Sequence, residues 1–188
     1  MRHFGRMLSA ATLAAVCSLP FLASSAMADP IPSGWKAQNM APVGFLGLEN
    51  RYAYKLAIKQ SKGKWYLFTG YARNGDDPGQ LVVIDVTDPK NPKRVKKIDG
   101  PADNDMGQVS LHGDLLITSM ARQLTVYDTT HAINFMAEYQ PEQIPANKSH
   151  NEGIKLWDVS NPEDPKEISH WETGAFGTHR NVYPGGKY

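Results

Sequence analysis

The densest group of side chains able to do chemistry is Gly177-Thr178-His179-Arg180-Asn181. An imidazole beside a guanidinium offers a metal ligand or general base next to an anion clamp. The plainer alternative is that Thr178 and Asn181 shape a chain crossing while His179 bonds to backbone. His150 and Glu152 could add donors for a metal ion from a neighbouring loop. A catalytic zinc takes three or more protein ligands, and the chain has no HExxH motif, no paired cysteines and no Gly-rich phosphate loop. No cofactor is evident. Asp103-Asn104-Asp105-Met106-Gly107 offers the oxygens of a calcium loop, but its Gly is misplaced and the twelfth position is not Glu.

Two aspartates look catalytic when read alone. Asp85 ends the apolar run Leu81–Ile84, and Asp158 ends Ile154–Trp157. Each is followed by Val, a hydroxyl residue and an Asx-Pro pair, with a second Pro three residues on. Asp85, Asp88 and Pro89 thus return 73 positions later as Asp158, Asn161 and Pro162. Recurrence in a repeat points to structure: the first Asp should bond turn backbone, and Asx-Pro should start the turn. Pro92 and Pro165 cannot donate to a ladder, so each marks the start of the next strand.

The elements around these motifs repeat as well. Gly63-Lys64-Trp65-Tyr66 and Gly113-Asp114-Leu115-Leu116 each read as a turn followed by a strand, and Gly185-Gly186-Lys187-Tyr188 resembles a third start. Four short antiparallel strands in about 40–50 residues is the pattern of a propeller blade. The fold class expected is therefore all-β, with propeller-type repeats of four-stranded antiparallel sheets. Blade one is placed at about 52–100 and blade two at about 107–173. An insertion is placed at about 131–152, and a third blade begins at 178–188. About two blades do not close a ring. A piece of a longer array is expected, with closure by self-association or a small open sandwich as alternatives.

Residues 1–28 read as a secretory signal: Arg2 and Arg6, a short apolar run from Leu8 to Leu22, then Ala26-Met27-Ala28 before Asp29. The rest, 29–188, is one repeat domain, expected in the periplasm or secreted. The full chain carries a formal charge of +1; without Arg2 and Arg6 of the signal, 18 Lys and Arg face 19 Asp and Glu. That balance gives no footprint for nucleic acid and no polybasic patch for membrane lipid. Cys17 lies in the signal, so no mature disulfide is available.

The strand-and-turn units Leu81–Pro92 and Ile154–Pro165, together with Gly177–Tyr183 and Gly185–Tyr188, resemble the LVIVD-repeat family of exported bacterial proteins. The resemblance spans about Gly44 to Tyr188 and implies β-propeller repeats. The family carries a similar Gly-x-His-Arg stretch, and it has no agreed biochemical function. Trp157-Asp158 without a companion Gly-His pair does not make a WD40 unit. Two functional classes follow. The first is a non-catalytic scaffold binding a protein or extracellular ligand through blade-top loops and the insertion, with His179, Arg180 and Asn181 as ligand-binding candidates. The alternative is an enzyme, metal-dependent in its simplest form, with a channel site around His179. The lack of a dense acid, base or metal constellation favours the first.

Overall fold

The structure is a computed structural model that describes residues 29–36, 38–72, 77–101, 104–122, 151–173 and 177–187. The signal segment, His150 and residues 131–150 of the expected insertion lie outside the described residues. Those described form strands and irregular chain, with no α-helix among them.

Two antiparallel sheets account for the expected blades. The first is a meander of β1 (Ala53–Ser61), β2 (Lys64–Tyr71), β3 (Gln80–Asp85) and β4 (Lys93–Asp99), in that order. The second contains β5 (Asn104–Asp105), β6 (Val109–His112), β7 (Leu115–Arg122), β8 (Gly153–Asp158) and β9 (Lys166–Glu172). β5 and β6 pair with successive parts of the same edge of β7, so together they form one interrupted first strand. β1 has a register shift between Ala53 and Leu56, close to the corresponding point. β3 and β8, the two copies of the repeated apolar run, are the third strand of their sheets. Even the irregularity repeats: pairing slips between Val83 and Ile84 in one sheet and between Leu156 and Trp157 in the other.

The turns form as their chemistry predicts. Asp85 Oδ1 accepts the Thr87 N–H at 2.9 Å, and Asp158 Oδ1 accepts the Ser160 N–H at 2.8 Å. Each Asx-Pro turn closes from its fourth residue to its first, Asn91 N to Asp88 O at 3.0 Å and Asp164 N to Asn161 O at 3.1 Å. β4 and β9 begin directly after Pro92 and Pro165. The first hairpins differ. Lys62 and Gly63 have φ of 48° and 80°, which suits a type I′ turn. Measured against the third strand, Tyr66 pairs with Asp85 where Leu115 pairs with Asp158. The blade-one hairpin therefore runs two residue pairs further, through Gln60–Trp65 and Ser61–Lys64.

Each sheet has a front face, turned toward the next blade in chain order, and a back face. The core lies between the front of blade one and the back of blade two. Tyr66, Phe68, Leu81 and Val83 meet Leu116, Met120, Trp157 and Val159 there, all nearly or wholly buried. Trp157 Nε1 donates to Thr118 Oγ1 at 3.0 Å inside it, which satisfies both polar groups. Gly70 allows the close approach, since a Cβ there would lie 1.8 Å from the Met106 carbonyl oxygen. A smaller cluster covers the back of blade one, where Leu46 and Leu48 pack on Tyr71, Val82 and Ile84. This is why all but the last residue of β3 is buried, whereas β8 is half open.

Ionic contacts tie the blades at the hairpin end. Lys59 pairs with Asp114 and also donates to Val159 O at 2.9 Å. Glu163 accepts from Lys64 at 3.0 Å and from the Tyr66 hydroxyl at 2.7 Å, and Lys96 pairs with Asp164 at 3.1 Å. Exposed pairs contribute little singly. Residues 178–187, expected to open a third blade, form no strand. They run over the front of blade two, where Tyr183 N donates to Ser110 Oγ at 3.2 Å and the Tyr183 ring meets His112 edge-on.

Candidate ligand-binding site

The chain leaves β9 and crosses the ends of β7 and β8 at Gly177. This residue bridges to Ala121 and has φ of 85°. A Cβ there would sit 1.9 Å from the Met120 carbonyl oxygen, so only glycine fits. Thr178 then fastens the crossing. Its N–H donates to Met120 O at 3.1 Å, and its hydroxyl donates to Gly153 O. Asn181 Nδ2 donates to Thr178 Oγ1 at 2.7 Å and closes a small loop.

His179 and Arg180 form the tip of that loop. Both are exposed, and neither has a hydrogen bond or ion pair among the described residues. Thr178 and Asn181 thus take the shaping role, while the two cationic-type side chains are presented outward. Asn181 is structural as well as a ligand candidate. Glu152 is buried at 1 % exposure, and its Cβ lies 2.9 Å from the place a Gly177 Cβ would take. The structure therefore brings Glu152 to the same end as His179. No group of three or more His, Cys, Asp or Glu is placed to hold a metal among the described residues.

That end collects more polar structure than the motifs announce. The β2–β3 and β7–β8 connections leave and return there, as does the crossing at Gly177. Arg51, 8 % exposed, pairs with Asp77 at 2.8 Å and donates to Pro78 O at 2.8 Å. Gln80 Nε2 donates to Asp99 at 2.6 Å. Asn104 is fully buried beside them, and Gly79 N donates to its carbonyl at 3.0 Å. These residues stiffen the loop end. They were not evident from sequence because each bond joins segments far apart in the chain.

The repeated acids do other work. Asp85 and Asp158 lie at the opposite, hairpin end and hold turn backbone, as do Asp88 and, through its carbonyl, Asn161. Pro89 is exposed and Pro162 is buried within these turns. No protein-family model, curated protein or solved structure matches the chain.

Proposed function

We propose that the chain is an exported, non-catalytic binding scaffold of the LVIVD-repeat kind, taking a protein or other extracellular ligand through the loop end of its blades. The observation that carries this is the shape of the Gly177–Asn181 loop. Its base is bonded to the ends of β7 and β8, and its tip turns His179 and Arg180 to solvent. A bonded base leaves little loop backbone to order on complexation, so the entropic cost falls mainly on the side chains at the tip. The ends of β2, β3, β7 and β8 lie at this same end of the sheets. Loops carried on a rigid sheet are the usual place for recognition. A guanidinium at the tip suits a carboxylate or other anion.

The test is a thermal-shift series on wild type, His179→Ala and Arg180→Ala, using an acidic peptide, inorganic phosphate and Zn²⁺ as probes. The proposal expects saturable stabilisation by the peptide, or by phosphate, that is lost in Arg180→Ala. Stabilisation by Zn²⁺ alone, lost in His179→Ala, would instead favour the metal-dependent enzyme. No shift with any probe would remove the loop from consideration as a site.

A further inference from the structure

The faces of the two sheets are related by the repeat. Leu81 and Val83 point from the front of blade one into the core; the same repeat positions in blade two are Ile154 and Leu156. Strand alternation, with Trp157 in the core, turns Ile154 and Leu156 to the front of blade two, away from blade one. The same holds across the sheet. Ile117 stands where Phe68 stands, and Trp171 where Ile98 stands. Apolar residues thus recur at the positions with which blade one grips blade two. Yet Trp171 is 63 % exposed and Ile168 is 58 % exposed.

The back faces correspond in the same way. Leu67, Tyr71, Ile84 and Val86 of blade one hold the places of Leu116, Met120, Trp157 and Val159, which blade two buries against blade one. The contact inside the chain is therefore front on back, a heterologous contact that can be repeated. Among the described residues, the front of blade two and the back of blade one each carry one unmatched half of it.

The relief of the two open faces also matches. On the front of blade two, residues 177–187 make a ridge over β6 and β7, from which Val182 projects at 70 % exposure, and β8 and β9 are open. On the back of blade one, residues 44–48 make a ridge over β3 and β4. Arg94 Nη2 donates to Gly47 O at 3.2 Å there. β1 lies open beside it, with Leu56 and Ile58 exposed at 59 % and 57 %. A groove of 280 Å³ runs between that ridge and β1, lined by Leu46, Leu56, Leu67 and Ile84 among others. Laid front on back, each ridge meets the other face's open strands.

We infer that the front of blade two docks on the back of blade one of a second copy of this chain, continuing the front-on-back stacking already present within the chain. Val182 seats along Leu56 and Ile58, and Trp171 covers the ridge at Phe45 and Leu46. Heterologous contacts form closed rings when the rotation permits. About two to four copies would supply the roughly four to eight blades of a closed propeller. The ionic ties of the internal contact do not recur. Ser169 stands at the place of Lys96, while Asn91 stands at that of Asp164. The charges at the back-face ridge, Arg94 and Lys97, already pair with Glu49 of the same chain. The new contact is therefore chiefly apolar, and salt does not weaken it.

The experiment is light scattering on the chain at about 100 μM, well above the micromolar Kd of a modest interface. Wild type is expected to show a mass of two or more copies that does not fall in high salt. Trp171→Lys and Ile58→Lys change exposed side chains and should each fold, as circular dichroism would show, yet lower the mass. Each keeps one face intact, so mixing them should give a one-to-one pair. A monomeric wild type overturns the inference. So does a mixture that stays monomeric, and so does either single variant keeping the full mass, which would mean that like faces meet or that the substituted face takes no part. Association abolished by salt would also sink it.

Discussion

Asp85 and Asp158 make the same bond at the same place in two sheets, each accepting the backbone N–H of the residue two positions on. Both carboxyls are held below the usual carboxylate range. At Asp85 burial opposes this, but the Thr87 bonds and the Lys64 charge outweigh it. At Asp158 the Ser160 backbone and hydroxyl bonds lead. Glu163 is lowered by Tyr66 and Lys64, and Asp164 by Lys166 and Lys96.

A lowered folded-state pKa gives stability that is present above the unfolded value and lost as pH falls through the folded one. Unfolded Asp and Glu titrate near about 3.9 and 4.3. The melting temperature should therefore be level from neutral pH to about 5 and drop below about 4 as these groups protonate. Asp85→Asn should lower it at neutral pH and flatten the acid limb. Thermal melts by circular dichroism across pH 3–7 would check both, in steps of about half a unit. A limb as steep in the variant as in wild type would contradict the role given to Asp85.

Trp157 offers a second test. It fills the core and spends its N–H on Thr118. Trp157→Phe should cost about 1–3 kcal/mol from the lost bond and the smaller ring, and Trp157→Ala about 3–5 kcal/mol. Urea titration would separate them. Both variants lose the bond to Thr118, so equal costs would mean that the ring kept by Trp157→Phe adds nothing to the core.

The crossing separates structure from recognition within a few residues. Gly177→Ala should destabilise by about 2–4 kcal/mol, because the added carbon meets the Met120 carbonyl at a positive φ. Thr178→Val should cost about 1–2 kcal/mol through its lost bonds to Gly153 and Asn181. His179→Ala and Arg180→Ala should stay within about 0.5 kcal/mol of wild type, as exposed side chains do. Denaturation midpoints of all four variants, at an unchanged slope, would show this division.

Much of the fold was legible because the repeat carries its own punctuation. The third strands, both Asx-Pro turns and the strand starts after Pro92 and Pro165 follow from residue type alone. The structural reading of Asp85 and Asp158 came from their recurrence. Other features depend on pairing at a distance. The shorter hairpin of blade two uses a two-residue turn like its counterpart, so local composition does not show its length. A run such as Leu81–Ile84 is apolar throughout and hides which residues face which neighbour. Only packing reveals that Leu81 and Val83 look one way while Val82 and Ile84 look the other. Residues 44–48 carry no repeat motif, and nothing local marked them as the cover of blade one. At the site, Thr178, His179 and Asn181 were visible as types. The division between them was not, because it depends on Met120 and Gly153 lying beneath.

The repeated slip in the fourth strands bears on how such a molecule avoids uncontrolled growth. In β4 the pairing passes over Val95, and in β9 over Ile168. Each is the outermost strand of its sheet, where an unpaired row of backbone groups would otherwise template another chain. A bulge bends that row out of line, and β4 adds Lys93, Arg94, Lys96 and Lys97 along it. The rim is thus a poor template for amyloid-like extension. Straightening it by deleting Val95, while replacing the lysines with threonine, should yield a chain that seeds fibrils.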